Sequence, residues 1–265
     1  MIDSIHQSMV NTWLRCGEQF RRRYIEGEII PPGIAARRGS ATHKGAEINN
    51  KNLIALGESL PLDTLMDATR DEYVRLVKEE GVFIPLEQKS EANALLNEGL
   101  NQSLSSIEKY YTDVAPIIKP IGAEVYVKAD IGLDLPIAGI VDVQEENRIR
   151  DLKIKGRADN QEWADRELQP SFYYELFRVL YGRYPHEFVY DEIVPLKTKT
   201  NYVGITTRRD QASLERWKLY LRAFLRDLNA GIFRPAEPGH FLCSEKWCGF
   251  FKTCPYAKGR VSVAA

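Results

Sequence analysis

Residues 139–156 read GIVDVQEENRIRDLKIKG, and the reading of this stretch decides the fold. Apolar and β-branched residues run from Leu135 to Val143, a polar turn follows at Glu145-Glu146-Asn147, and Arg148 to Lys155 alternates polar with apolar side chains. That pattern predicts a β-hairpin. Side chains two apart share one face of a strand, so Asp151 and Lys153 point one way while Leu152 and Ile154 point the other. Asp142 belongs to the partner strand. A one-residue slip in register would send it to the opposite face, so its distance from Asp151 stays open.

On either side of the hairpin the periodicity changes. Residues Ser8 to Glu26 read as one helix, with Met9, Trp13, Cys16, Phe20 and Tyr24 on a common face and Gly27 as its stop. Pro31-Pro32-Gly33 breaks the chain, and a second helix is expected from about Arg38, carrying His43 in its first turns. The region from Leu62 to Val114 repeats at helical spacing and forms an N-terminal helical lobe. Strands are expected at Glu124–Val127, in the hairpin, at Glu187–Leu196 and at Tyr202–Thr206, with helices at Pro170–Tyr181 and Gln211–Asn229. The fold class is therefore α/β, a mixed five-stranded central sheet flanked by helices. The expected organisation is a single composite domain over residues 1–260. It divides into a mainly helical part at 1–120, a core at 121–230 and a cysteine-rich end at 231–260. The tail after Lys258 is expected to fray.

With 265 residues and 44% hydrophobic content, the chain can bury a sizeable core. No apolar run approaches the roughly 20 residues of a membrane helix, and the opening MIDSIHQSMV lacks a secretory pattern, so no membrane partner and a cytoplasmic location are expected. The net charge of −1 does not announce a nucleic-acid partner. Local clusters matter more. Arg21, Arg22, Arg37, Arg38 and Lys155 are candidates for a groove that follows a DNA backbone, and equally for solvated surface charge.

Two carboxylates and a lysine at one sheet edge suit divalent-metal chemistry on a phosphate. Mg²⁺ or Mn²⁺ prefers oxygen, which Asp142, Asp151 and the Leu152 carbonyl offer, and Lys153 would balance charge beside the attacking water. Alternating acids and bases on the wet face of a hairpin would look the same. Gln169 and Tyr173, four apart at the start of the next helix, project toward those strand ends, either to order a substrate or as a cap and core packing. There is no G-x-x-x-x-G-K-[ST] loop, so any unwinding must come from a partner.

Taken together, His43 in GSATH, Glu124 in AEVYV, Asp142 in GIVDV, Asp151-Leu152-Lys153, and Gln169 with Tyr173 in QPSFYY resemble the RecB-family branch of the PD-(D/E)xK nucleases. The resemblance implies a restriction-endonuclease-like core. It makes His43, Asp142, Asp151 and the Leu152 carbonyl metal ligands and Lys153 the catalytic lysine, with Gln169 and Tyr173 near the substrate and Glu124 an accessory acid. Ile154-Lys155-Gly156 stands where the family often has Thr-Gly or Ser-Gly. The implied activity is a Mg²⁺- or Mn²⁺-dependent deoxyribonuclease, expected to be an exonuclease, in recombination, repair or phage DNA processing. Partners on that reading are DNA and a helicase or single-strand annealing protein. The alternatives are a non-catalytic DNA-binding scaffold that keeps the fold, and a zinc-stapled interaction module.

Cys243, Cys248 and Cys254 fall within LCSEKWCGFFKTC, and the fourth cysteine is Cys16. Zinc knuckles usually show short-spaced pairs such as C-x2-C, which this pattern lacks. One distant cysteine plus a C-terminal trio resembles the [4Fe-4S] arrangement of iron–sulfur RecB-family nucleases, with zinc as the alternative. Such a group would clasp the first helix to the end of the fold.

Overall fold

The computed structural model describes residues 2–237 and 239–257; the tail after Lys258 lies outside them. Its centre is a sheet of five strands, β1 (Gly122–Ala129), β2 (Ile137–Gln144), β3 (Arg148–Ile154), β4 (Glu187–Pro195) and β5 (Thr200–Thr207), in that spatial order. Only the β3–β4 pair is parallel. A parallel step needs a crossover, which α6 (Gln161–Arg166) and α7 (Gln169–Tyr181) provide. The mixed five-stranded sheet flanked by helices is thus as the sequence predicts.

Helices cover both faces of the sheet. On one side, α3 (Ile34–Leu56), α4 (Leu62–Glu79) and α5 (Ala92–Lys109) close a core in which Ala46, Leu65 and Ile107 meet Leu152 and Ile193. On the other, α1 (Gln7–Arg15), α7 and α8 (Gln211–Asn229) bury Trp13, Phe172, Trp217 and Phe224 with Ile149, Phe188 and Tyr190. The strand alternation seen in the sequence is therefore used on both sides: Leu152 enters the helical lobe's core, while Ile149, two before Asp151, enters the other. A buried polar junction ties lobe to sheet. Arg150 donates to both oxygens of Asp191 at 2.8 and 2.7 Å, the Tyr202 hydroxyl adds a third bond at 2.8 Å, and Tyr110 bonds Asn49 and Asn50 of α3 nearby.

Two expectations are corrected. The single helix over Ser8–Glu26 is instead α1, a short α2 (Gly17–Phe20) and a wider π-type turn at Arg21–Ile25, separated at Cys16, whose backbone is extended (φ −164°, ψ 105°). The cause is a close backbone crossing. Gly17 N donates to Arg234 O at 2.6 Å, and a Cβ on Gly17 would stand 2.6–2.8 Å from backbone atoms of Phe233 and Arg234. Bending the chain here turns the Cys16 sulfur into an acceptor for Gln19 N at 3.4 Å and Ala236 N at 3.3 Å. The apolar face survives the break, since Trp13 and Phe20 both pack on Phe224. The second helix begins at Ile34 rather than near Arg38, because Gly33 already accepts from the first-turn amides of Ala36 and Arg37. Helix α6 has no apolar periodicity to announce it. It rests on Asn160, whose side chain caps Trp163 N at 2.9 Å.

Candidate active site

Strand β3 carries Asp151 and Lys153 on one face, 2.9 Å apart between Oδ1 and Nζ. The β2–β3 ladder pairs Val143 with Arg150 and Gln144 with Ile149. Continued by one step, that register sets Asp142 across from Asp151, which resolves the question the sequence leaves open. The ladder has ended at that point, and the Leu152 amide donates to Asp142 Oδ2 at 3.1 Å instead. Helix α3 then delivers His43, whose Nε2 lies 2.8 Å from the Leu152 carbonyl and whose Nδ1 lies 3.5 Å from Asp142 Oδ2. With the proton on Nε2, the ring donates to the carbonyl and turns the Nδ1 lone pair toward the acids.

Glu124 completes the group in an unusual way. The β1–β2 ladder passes from Ala123–Val143 to Val125–Val141 without pairing Glu124 to Asp142, and Glu124 has φ +51°, alone among the described non-glycine residues in that region. A non-glycine residue in the left-handed region costs of order 1–3 kcal/mol and persists where the surroundings over-determine it. One ligand atom each from His43, Glu124 and Asp142 lies within 4.8 Å of the others. Burial, then the charge of Asp142, pushes the Glu124 carboxyl up to about 7 against the pull of His43.

Asp151 is 3% exposed. Its Oδ1 accepts from Lys153 and from Gln169 Nε2 at 2.8 Å, while Oδ2 stands 2.6 Å from Lys153 Nζ without hydrogen-bond alignment and has no other partner. Burial raises its pKa, Lys153 opposes the rise and Asp142 adds to it. For Lys153, burial acts downward, but Asp151 and Asp142 outweigh it and hold the ammonium above its usual range. Lys153 is therefore a fixed cation. Gln169 reaches Asp151 because α7 packs tightly on the sheet: a Cβ on Gly139 would meet the Phe172 ring at 2.8 Å. Tyr173 donates its hydroxyl to the Ile140 carbonyl at 2.8 Å, and burial raises its pKa, so it pins α7 to β2.

The structure thus gathers His43, Glu124, Asp142, Asp151, Leu152, Lys153 and Gln169 at one point. Glu124, expected as an accessory, is in the three-ligand group, whereas the Asp151 oxygens are turned to Lys153 and Gln169. The residues fit a divalent cation. The donors are hard oxygens and one imidazole, and the orphaned Asp151 Oδ2 is a buried acceptor at the same place. Two neighbours are not legible as site residues in the sequence. Glu167 is pushed up by burial and feels Lys155 and Lys153, and the fully buried Tyr190 hydroxyl has no partner and feels Asp151. Only the position of Glu167, two before Gln169, hints at its place.

The reading of the basic clusters as open phosphate contacts is corrected. Arg22 is buried against Glu28, Thr253 and the Phe250 ring. Arg37 is buried on Gly81 O and Glu80, and Arg38 on Gln102. Arg21 is paired with Glu18 and Glu26. Lys155 is held by Glu192 and Asp159 over the Trp163 ring. Arg22, Arg37 and Arg38 are desolvated guanidinium groups with internal partners that brace the fold, whereas Arg21 and Lys155 stay partly exposed.

The four cysteines, all free thiols, border a single cavity together with Arg15, Arg22, Trp247 and Phe250. Burial raises the pKa of Cys248 and Cys254, so binding of a metal group there must displace protons.

The chain matches the PD-(D/E)XK nuclease superfamily over residues 4–257 and belongs to that family. Among solved structures it is similar to the "Putative exonuclease" from Eubacterium rectale, with TM-score 0.59 and 12% identity over 88% of this chain and 84% of that one. A second, SSO0001, aligns with 97% of this chain and 88% of its own at TM-score 0.42 and 14% identity. No curated protein matches.

Proposed function

We propose that the chain is a Mg²⁺- or Mn²⁺-dependent deoxyribonuclease, acting as an exonuclease in recombination, repair or phage DNA processing. The observation that carries this is the convergence of the His43–Glu124–Asp142 group with the buried Asp151–Lys153 pair. A cation bound there would polarise a phosphodiester and lower the pKa of attacking water. His43, Glu124, Asp142, Asp151 and the Leu152 carbonyl are the residues to hold it. Lys153 Nζ keeps its proton and faces the phosphate as a positive charge, Gln169 Nε2 fixes the Asp151 carboxylate, and Tyr173 fixes the helix that carries Gln169. A helicase or single-strand annealing protein in the cytoplasm fits as partner, since no nucleotide-binding loop is present for unwinding. The chain is proposed to act as one composite domain.

In this proposal Cys16, Cys243, Cys248 and Cys254 bind a [4Fe-4S] cluster. Four free thiols around one cavity match the ligand count of such a cluster.

The test is metal-dependent cleavage of labelled linear and circular DNA beside Asp151→Ala and Lys153→Ala, with iron, sulfide and zinc analysis of protein purified without oxygen. Cleavage by wild type alone supports the enzyme, and equal inertness of all three proteins removes it. A colourless protein with stoichiometric zinc would overturn the cluster.

A further inference from the structure

A groove of about 970 Å³ runs between the first helical segment and Arg234, Pro235, Ala236, Glu237 and His240. Arg15, Arg23 and Arg234 border it, and all three are exposed. Among the described residues Arg15 and Arg23 make no ion pair or side-chain hydrogen bond, and the nearest carboxylate to Arg234 is Asp227 at 3.9 Å. These are the open cations that Arg22, Arg37 and Arg38 are not. Two carboxylates also border the groove, Glu237 and Glu167. Glu167 marks the end next to the catalytic centre, because it lies two residues before Gln169, whose amide holds Asp151.

At His240 the border of the groove meets a set of exposed rings outside it. His240 borders it and stacks on Phe241, with ring centroids 5.0 Å apart and planes 22° apart. The His240 ring is itself fixed, Nδ1 accepting from Leu242 N at 3.2 Å. Trp247 meets Phe241 edge to face at 6.5 Å. Phe241 is 66% and Trp247 56% exposed, with Lys246 over the indole at 5.4 Å. Exposed rings beside unpaired arginines form the pairing that grips an unpaired strand, where phosphates need charge and bases offer open faces for stacking. Along its length a duplex keeps those faces inside its own stack.

We infer that Arg15, Arg23 and Arg234 hold the phosphates, and Phe241 and Trp247 the bases, of a single DNA strand led from the cysteine-rich end toward Lys153. This rests on the nuclease reading and adds to it a binding track made by these five side chains.

Binding and cleavage are measured separately. Fluorescence anisotropy of labelled dT12, and of a blunt duplex of equal length, is recorded with as-purified protein in Ca²⁺, over a salt series. Three proteins are compared with wild type: Phe241→Ala with Trp247→Ala, Arg15→Ala with Arg23→Ala, and Trp247→Phe. The aromatic double variant is expected to lose about ten-fold or more in dT12 affinity, from stacking, and under two-fold in duplex affinity. The arginine pair is expected to lower the magnitude of the salt slope by about 1.4, from two phosphates at about 0.7 each. Trp247→Phe keeps a ring face and stays within about three-fold, which separates stacking from misfolding. Binding of dT12 within two-fold of wild type by either double variant overturns the track, as does wild-type preference for duplex. Wild-type cleavage in Mn²⁺ is scored apart: cleavage with unaffected variants removes the track alone, while binding that depends on these residues without cleavage removes the nuclease reading alone.

Discussion

The carboxylate site and the cysteine-rich end are built on opposite principles. His43, Glu124, Asp142 and Asp151 come from α3, β1, β2 and β3, elements fixed by a ladder and two cores. Cys243, Cys248 and Cys254 come from a run of turns after α8 that has neither helix nor strand among its described residues. The first site is arranged in advance, at the cost of gathering carboxylates in a buried place. The second places free thiols around a cavity, three of them on turns that no helix or strand among the described residues holds in place. Removing a bound cation should therefore leave the first site formed but with its acids repelling one another, and removing a group bound by the cysteines should loosen the second.

The largest effect expected is on cleavage by Asp151→Asn, a loss of about 10³-fold with a melting temperature equal to or above wild type, because a buried charge disappears. A melting temperature that falls with activity would break the contrast. Asp191→Ala tests the scaffold apart from both sites. Arg150 would keep only the longer contact to Glu145 at 3.7 Å, costing about 3 kcal/mol in urea unfolding without altering any metal bound by the cysteines. At the other end, Cys16→Ser should abolish bound iron or zinc by elemental analysis and lower the melting temperature by about 6–12 °C, for a loss of about 3 kcal/mol; an unchanged melting temperature would mean that the cysteines staple nothing.

Glu124→Gln gives the smallest change and the sharpest comparison. The Glu124 carboxyl is raised in the fold from the ordinary 4.5 to about 7. Its contribution to stability is therefore full below pH 4.5 and is lost as pH rises through 7. Metal-free wild type should become less stable across that window, and Glu124→Gln should flatten the profile and raise the melting temperature by a few degrees at pH 8. Mn²⁺ must displace the same proton, so wild-type affinity by calorimetry should climb with pH up to about 7 and the variant should lose most of that dependence.

Much of this was legible in residues 139–156, because a strand's period of two assigns Leu152 to a core and Asp151 with Lys153 to the other face. The approach of Asp142 to Asp151 was not, since register depends on hydrogen bonds between strands. Nor was the membership of Glu124 in the ligand group, which depends on a single left-handed φ in a stretch whose composition reads as ordinary strand. The helix break at Cys16 was hidden for a similar reason: the spacing of Trp13, Phe20 and Tyr24 is helical, and only the distant backbone of Phe233 and Arg234 bends it. Charge clusters are the least legible feature, because Arg22 and Arg37 look in sequence like Arg15 and Arg23, and burial alone separates them.

The crossing of Gly17 under Arg234 also sets an order of events during synthesis. The cysteine cavity has one wall from the segment between Arg15 and Arg22 and the others from Ala236 and the segment between Leu242 and Cys254, so it cannot exist until Cys254 has left the ribosome. The sheet and its acids are complete some fifty residues earlier, since β5 ends at Thr207 and 254 − 207 = 47. A chain still being made would complete its carboxylate site before its four cysteines could meet.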